Sequence, residues 1–365
     1  MMVEIKVFCL LIQNLKSKID MRALLSGYYG QGNGGDEALL ATLLQMLPSS
    51  VTPVVLSGNP EQTQRRYNVE TCERKAFKSV MQALLSCDAF IWGGGSLVQD
   101  ATSAISPFYY TGLMSIAQKR GMKTVAWAQG IGPLKRNATR WLARQNFTGC
   151  TKTSVRDRVS AALLQEWDIP HVLAPDPVWA LESQSTPGLW DTPAPRVAVT
   201  LRAHPELTPT RLGNLTKALV DFQKATETFI LLIPFQKSKD LSIAQAIQPA
   251  LKDVSKIITV EEPTILKGIY RGVEMAIGMR LHSLIMAASE GSRCFALSYD
   301  PKINRLMEEV EMPGWDIGDL PDDANVISKT WIEHFANGEA LSDDRIKFFT
   351  DRALIHKEVL QQALA

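Results

Sequence analysis

Arg280 and His282 stand in GMRLHSLIMAASEG, where an apolar run turns into a helix. Leu281, Leu284, Ile285 and Ala288 recur at helical spacing, so the segment after Arg280 reads as an amphipathic helix. Arg280 and His282 then lie at a helix N-terminus, a position that favours anions. A guanidinium grips carboxylate or phosphate through two parallel hydrogen bonds. An imidazole titrates near neutrality and can pass a proton. The plainer alternative is a structural Arg–carboxylate pair with a capping His. Arg202 ends the run VAVTLRAH in the equivalent place, and the two arginines could converge on one polyanion. His204, two residues on and before a proline, reads as peripheral. In SYDPK, Tyr299, Asp300 and Lys302 mark a third strand end. Lys302 either adds positive charge there or is an ordinary solvated lysine. Arg156 and Asp157 in SVRD read as a helix-start pair.

The stretch SGYYGQGNGGDEALL holds Gly30-x-Gly32-x-x-Gly35, the form of a dinucleotide-binding fingerprint. A nicotinamide site also needs an acid at the end of the second strand. That strand ends VVLSGNP, with Ser57 and Gly58 and no acid. Asp36 and Glu37 open the following helix, where carboxylates would repel a pyrophosphate. Asp36 therefore reads as a helix N-cap or, with Asn33, as a partner for sugar hydroxyls. In IWGGGSLVQD, Gly94 and Gly95 bare the backbone, whose N–H groups could cradle an anion or a carbonyl. Gln99 and Asp100 follow them; Asp100 is a helix cap or a polar contact to substrate. Gln129, in AQGIGP, marks a further strand end. There is no GxxxxGK[ST] phosphate loop and no HExxH zinc motif.

These loops need elements to carry them. Apolar strands are expected at Arg22–Ser26, Val51–Ser57, Ala89–Trp92, Thr124–Ala128, Lys152–Val155 and His171–Leu173. Helical patterns lie between them at Glu37–Leu47, Phe77–Ser86, Phe108–Arg120, Ala138–Phe147 and Val159–Trp167. Continuous apolar strands separated by helices predict a parallel sheet covered on both faces. The pattern breaks at LESQSTPGLWDTPAP, residues 181–195, which is linker chemistry. It resumes with strands at Arg196–Leu201, Thr228–Ile233, Lys256–Thr259, Glu274–Ile277 and Arg293–Leu297. Helices are expected at Arg211–Lys224, Leu241–Leu251, Thr264–Gly272, His282–Glu290, Lys302–Val310, Asn325–Ala336 and Lys347–Leu364. The fold class is α/β, with two Rossmann-like doubly wound domains facing a central cleft. The domains span 21–180 and 196–318, with an N-terminal extension at 1–20 and C-terminal helices at 319–365. The unusual loops all fall at the carboxyl ends of strands, where such sheets collect ligands.

Composition excludes several classes. The chain has 365 residues and a formal net charge of +1, with no broad nucleic-acid footprint. Five scattered cysteines, Cys9, Cys72, Cys87, Cys150 and Cys294, form no CxxC pair and read as reduced thiols. The apolar core of the first 20 residues is too short for a bilayer. A cytoplasmic location is expected, and contact with the inner face of the plasma membrane is left open. Neither a resident cofactor nor a metal is expected.

The set SGYYGxxNxGDEA, GGGSLxQD, AQGIGP, RD, DPV, LR, PFQ, GMRLHSLI and SYDPK resembles the polysaccharide pyruvyltransferase family, of the CsaB cell-wall type. The resemblance runs from about Met21 to about Met312. It implies a fold like the GT-B glycosyltransferases. It also implies transfer of a pyruvyl group from phosphoenolpyruvate to a sugar as a ketal, with release of phosphate. The implied acceptor is an N-acetylmannosamine-containing wall polysaccharide or its lipid-linked precursor, and the implied product anchors surface-layer proteins. By the same resemblance Arg280 binds phosphoenolpyruvate, His282 donates the proton and Arg202 is a second donor contact. Other readings of the residues remain: a GT-B glycosyltransferase using a nucleotide sugar, a non-catalytic binding protein and, most weakly, a nicotinamide enzyme.

Overall fold

The computed structural model describes residues 21–101, 105–186 and 188–365. The extension assigned to residues 1–20, with Cys9, lies outside the described residues. In chain order the elements begin with β1 (Met21–Ser26), α1 (Gly34–Met46), β2 (Val51–Ser57), α2 (Pro60–Tyr67), β3 (Glu70–Glu73), α3 (Phe77–Leu85) and β4 (Ala89–Gly95). Next come α4 (Ser106–Lys119), β5 (Lys123–Gln129), α5 (Asn137–Thr148), β6 (Lys152–Val155), α6 (Arg158–Glu166), β7 (Val172–Leu173) and a 3-10 turn at Pro177–Ala180. The second half has β8 (Arg196–Thr200), α7 (Pro209–Thr226), β9 (Phe229–Leu232), α8 (Lys237–Ile247), β10 (Ser255–Ile257), α9 (Pro263–Tyr270), β11 (Met275–Gly278) and α10 (Leu281–Ser289). It closes with β12 (Arg293–Ser298), α11 (Pro301–Val310), β13 (Gly314–Asp316), α12 (Ala324–Asn337), α13 (Asp343–Ala353) and α14 (Ile355–Leu364).

The strands form two sheets, ordered β3-β2-β1-β4-β5-β6-β7 and β10-β9-β8-β11-β12-β13. Strand pairing is parallel in both. Strand order reverses between β1 and β4 and again between β8 and β11, the switch points where doubly wound sheets bind ligands. The doubly wound expectation therefore holds in both halves of the chain. Three elements had no sequence signal: β3 (ETCE), α2 (PEQTQRRY) and β13 (GWD) are short or polar. The single helix expected at Lys347–Leu364 is two helices, α13 and α14, which meet at Leu354.

Chain contacts divide the molecule into two compact units, one of residues 21–27, 46–172 and 357–365, the other of residues 28–45 and 173–356. The glycine loop and α1 thus group with the second sheet. Three sets of contacts go with it. The Gly34 N–H donates to the Phe235 carbonyl at 2.8 Å. Asn33 and Gln236 form an antiparallel bridge. The Gln45 side chain spans the Ala180 carbonyl and the Glu182 N–H at 2.9 and 3.0 Å. In the first unit Trp92 and Phe147 pack edge to face at 5.4 Å. In the second, Val197, Ile277 and Phe295 of the sheet pack with Leu215 and Phe222 of α7 and Trp331 of α12. That packing makes α12 part of the second core.

Candidate functional site

The second sheet sets two arginines side by side. Thr200 of β8 pairs with Gly278 of β11. Two residues further along each strand stand Arg202 and Arg280, at the switch point. Arg280 is the N-cap residue of α10, with extended backbone. Its Nη2 donates to both carboxylate oxygens of Asp240, at 2.6 and 2.8 Å. Asp240 is fully buried on α8 and also accepts the Gln236 N–H at 2.7 Å. Sequence alone left an Arg–carboxylate pair open for Arg280; the pair is present. The Arg280 Nε is nevertheless buried without a partner among the described residues, and so is the Arg202 Nε. A buried donor without an acceptor is uncommon and calls for a ligand or a water. Arg202 Nη1 donates to the Tyr299 hydroxyl at 2.5 Å, and its guanidinium lies 4.7 Å over the same ring. His204 rests against that ring at 4.8 Å.

His282 sits in the first turn of α10, 13% exposed. Its Nε2 lies 3.3 Å from Oδ2 of Asp176. A Cβ on Gly35 would come within 2.2 Å of His282 Nδ1, so the ring rests on bare backbone. That contact gives Gly35 a purpose unconnected with pyrophosphate. Asp176 Oδ1 takes the Val178 N–H at 3.0 Å and caps the 3-10 turn, so the carboxylate is aimed before any ligand arrives. A carboxylate placed this way fixes the imidazole's orientation and tautomer. Asp176 falls in the APDP strand-end loop, but residue type alone gave it no role.

Lys267, also unmarked in the sequence, holds the other end of that turn. It is buried on α9, and its ammonium donates to the carbonyls of Leu181, Trp179 and Val178 at 2.6, 3.2 and 3.5 Å. Glu290 stands 3.9 Å away. Burial outweighs Glu290 and lowers the Lys267 pKa to about 8. The folded state therefore binds fewer protons than the unfolded chain between about pH 8 and 10.5, and stability rises across that window. Relative to Lys267→Met, the native chain should gain roughly 3 kcal/mol from pH 8 to 10.5. Urea unfolding of both proteins across that range measures the difference.

The remaining second-unit candidates cluster nearby in sequence and sheet. Helix α1 starts at Gly34, two residues before Asp36, so Asn33 takes the capping place instead. Asn33 Oδ1 accepts the Gly35 N–H at 3.3 Å, and its amide donates to Asp36 Oδ2. The acid of SYDPK is a helix cap: Asp300 Oδ1 accepts the Lys302 N–H at 3.0 Å.

The other candidates belong to the first unit. Gly94 and Gly95 end β4 with φ of 80° and 82°, backbone that favours glycine. Gln99 Oε1 accepts the Ala101 N–H at 3.0 Å, closing a local turn. Asp100 is buried and clamps the next loop, taking the N–H groups of Lys135 and Arg136 at 2.8 and 2.9 Å. Burial raises its pKa, but those bonds outweigh burial and hold it below the ordinary carboxylate value. Gln129 is fully buried, and its amide donates to the carbonyls of Trp127 and Trp92 at 3.0 and 3.3 Å. Asp157 caps α6 through Ser160, at 2.8 Å to the N–H. Among the described residues no group of three His, Cys, Asp or Glu side chains could hold a metal. No described helix is long and apolar enough to cross a membrane.

A model of polysaccharide pyruvyl transferases matches residues 33–301, the span that carries Asn33, Gly35, Asp36, both arginines and His282. This chain belongs to the polysaccharide pyruvyl transferase family. No curated protein matches the chain. Among solved structures, the chain is similar to the UDP-GlcNAc 2-epimerase of Methanocaldococcus jannaschii, with TM-score 0.63, 11% identity and coverage of 94% and 99% of the two chains. The Neisseria meningitidis UDP-GlcNAc 2-epimerase, solved with UDP-GlcNAc, gives TM-score 0.62 at 10% identity over 94% and 100%. MurG of Acinetobacter baumannii gives TM-score 0.51 at 11% identity over 94% and 99%. The chain therefore shares the two-domain GT-B fold.

Proposed function

We propose that this chain transfers a pyruvyl group from phosphoenolpyruvate to a sugar of a wall polysaccharide or its lipid-linked precursor, forming a ketal and releasing phosphate. The observation that carries the reading is the aimed Asp176–His282 pair at the helix start that follows Arg280. Phosphoenolpyruvate brings a carboxylate and a phosphate, and the unpaired Nε–H donors of Arg202 and Arg280 supply complements for them. His282 gives a proton to the methylene carbon, which becomes a methyl group, and C2 becomes electrophilic. One sugar hydroxyl attacks C2, the C2–O bond to phosphate breaks, and phosphate leaves. A second hydroxyl of the same sugar then closes the ketal; one hydroxyl proton restores His282 and the other goes to the departing phosphate. Asn33 and Asp36, on the loop that meets His282 through Gly35, supply partners for sugar hydroxyls. Lys302 adds a cation beside the phosphate. The product suits the anchoring of surface-layer proteins, and the enzyme would work on the cytoplasmic side of the membrane.

Phosphorus NMR of phosphoenolpyruvate with wall-glycan acceptors measures the reaction. Asp176→Asn should lower kcat by roughly a hundredfold or more with KM nearly unchanged, because Asp176 orients the acid and does not touch the donor. An equal rise in KM alone would move Asp176 into donor binding. The second reading, a glycosyltransferase using a nucleotide sugar, draws on the UDP-GlcNAc held by the Neisseria epimerase. In that case UDP-sugar is consumed and phosphoenolpyruvate is not.

A further inference from the structure

The first unit carries a surface that no step above uses. Phe77, Ile105, Phe108 and Trp141 are 77%, 78%, 48% and 61% exposed. They stand at the starts of α3, α4 and α5. Exposed Lys75, Lys78, Lys135 and Arg136 are their sequence neighbours. None of the three helices contains an Asp or a Glu, while Lys78, Lys119, Arg140 and Arg144 lie on them. Of the acids close in sequence, Asp100 is buried, and Glu166 pairs with Arg140 at 2.7 Å.

The three helix starts are neighbours in space. Arg74, just before α3, donates to the Tyr110 hydroxyl at 2.9 Å, and its carbonyl accepts from Tyr109 at 2.8 Å, both on α4. Helices α4 and α5 are successive right-handed crossovers, so they share a sheet face and run the same way. Ser115 bonds Asn146 at 3.1 Å, an offset of 31 residues. The same offset puts Ile105 level with Arg136, so the starts of α4 and α5 lie at one height.

We propose that this face binds an anionic lipid surface. Large apolar side chains flanked by cations, with no carboxylates on their helices, match what an interfacial site needs: rings to enter the headgroup layer and charge to meet acidic lipids. A patch of this kind on a soluble domain marks an interaction site. Charge complementarity selects the bilayer over a second copy of this chain, since two such faces would repel. The assignment is independent of the donor: the vesicle assay contains neither phosphoenolpyruvate nor acceptor, so either reading can fail alone.

The test is co-sedimentation of the full chain with vesicles of phosphatidylglycerol and phosphatidylcholine, against phosphatidylcholine alone. The native chain should sediment with the anionic vesicles and be released by salt. Each cation near such a surface contributes roughly fivefold in partitioning. Reversing two, in Lys135→Glu/Arg136→Glu, should weaken binding more than about 25-fold. Phe108→Ser/Trp141→Ser should weaken it at unchanged charge. Both variants alter exposed side chains, and a native melting profile shows that each is folded. The proposal is overturned if the native chain stays in the supernatant, if it sediments equally with phosphatidylcholine, or if both folded variants sediment like the native chain. It is also overturned if Trp141→Ser abolishes a dimer and the native chain binds no vesicles, because the face is then a self-interface.

Discussion

His282→Ala should release phosphate from phosphoenolpyruvate roughly 10²–10⁴ times more slowly than the native chain. Nε2 is held by Asp176 at 3.3 Å, and the ring lies on the backbone of Gly35. Such a seat leaves the imidazole few orientations. Alanine removes the acid and leaves the arginines, so donor affinity should change little while turnover collapses. Single-turnover phosphate release, with donor binding measured separately, resolves the two effects. A folded His282→Ala chain with native turnover would remove His282 from the acid role. Gly35→Ala offers an independent check, since its methyl would displace the ring without altering any titratable group.

Asp240→Ala should cost about 3–5 kcal/mol of stability, the usual consequence of removing one partner from a buried ion pair. Asp240 is fully buried and Arg280 is 8% exposed, so the lost carboxylate leaves a largely desolvated charge. The same carboxylate takes the Gln236 N–H, and Gln236 pairs with Asn33. The loss should therefore loosen the glycine loop as well as Arg280. Urea unfolding gives the energy, and hydrogen exchange at Gly34 and Gly35 gives the loosening. Asp240→Asn, which keeps one acceptor oxygen for Arg280 and the Gln236 N–H, should lose less. A stability within experimental error of the native chain in Asp240→Ala would mean that the Arg280 charge has another partner.

Much of this was legible in the residues. Apolar runs alternating with amphipathic segments placed both sheets, because a strand buried on two faces must be continuously apolar. Arg202, Arg280 and His282 were visible because charged groups at the ends of apolar strands are conspicuous. Their partners were not. Asp240 lies inside an ordinary surface-patterned helix, and only the tertiary fold brings it to Arg280. Asp176 looks like any turn cap; its second oxygen acquires a role from a helix more than a hundred residues away. Lys267 reads as a solvated lysine until the 3-10 turn covers it. Asp36 read as a cap of α1 or a sugar contact, but the helix starts two residues before it, at Gly34, and Asn33 takes the capping place. The division of the chain was least legible, since the loop and α1 follow β1 in sequence but bond to the end of β9.

The central claim is that phosphoenolpyruvate is the donor. Thermal unfolding of the purified chain with phosphoenolpyruvate, UDP or UDP-GlcNAc tests it most directly. At about a hundred times the dissociation constant, a specific ligand adds about 2.7 kcal/mol to stability. The account predicts a rise in Tm with phosphoenolpyruvate, none with UDP or UDP-GlcNAc, and loss of the rise in Arg202→Ala. A rise with UDP-GlcNAc and none with phosphoenolpyruvate would contradict it.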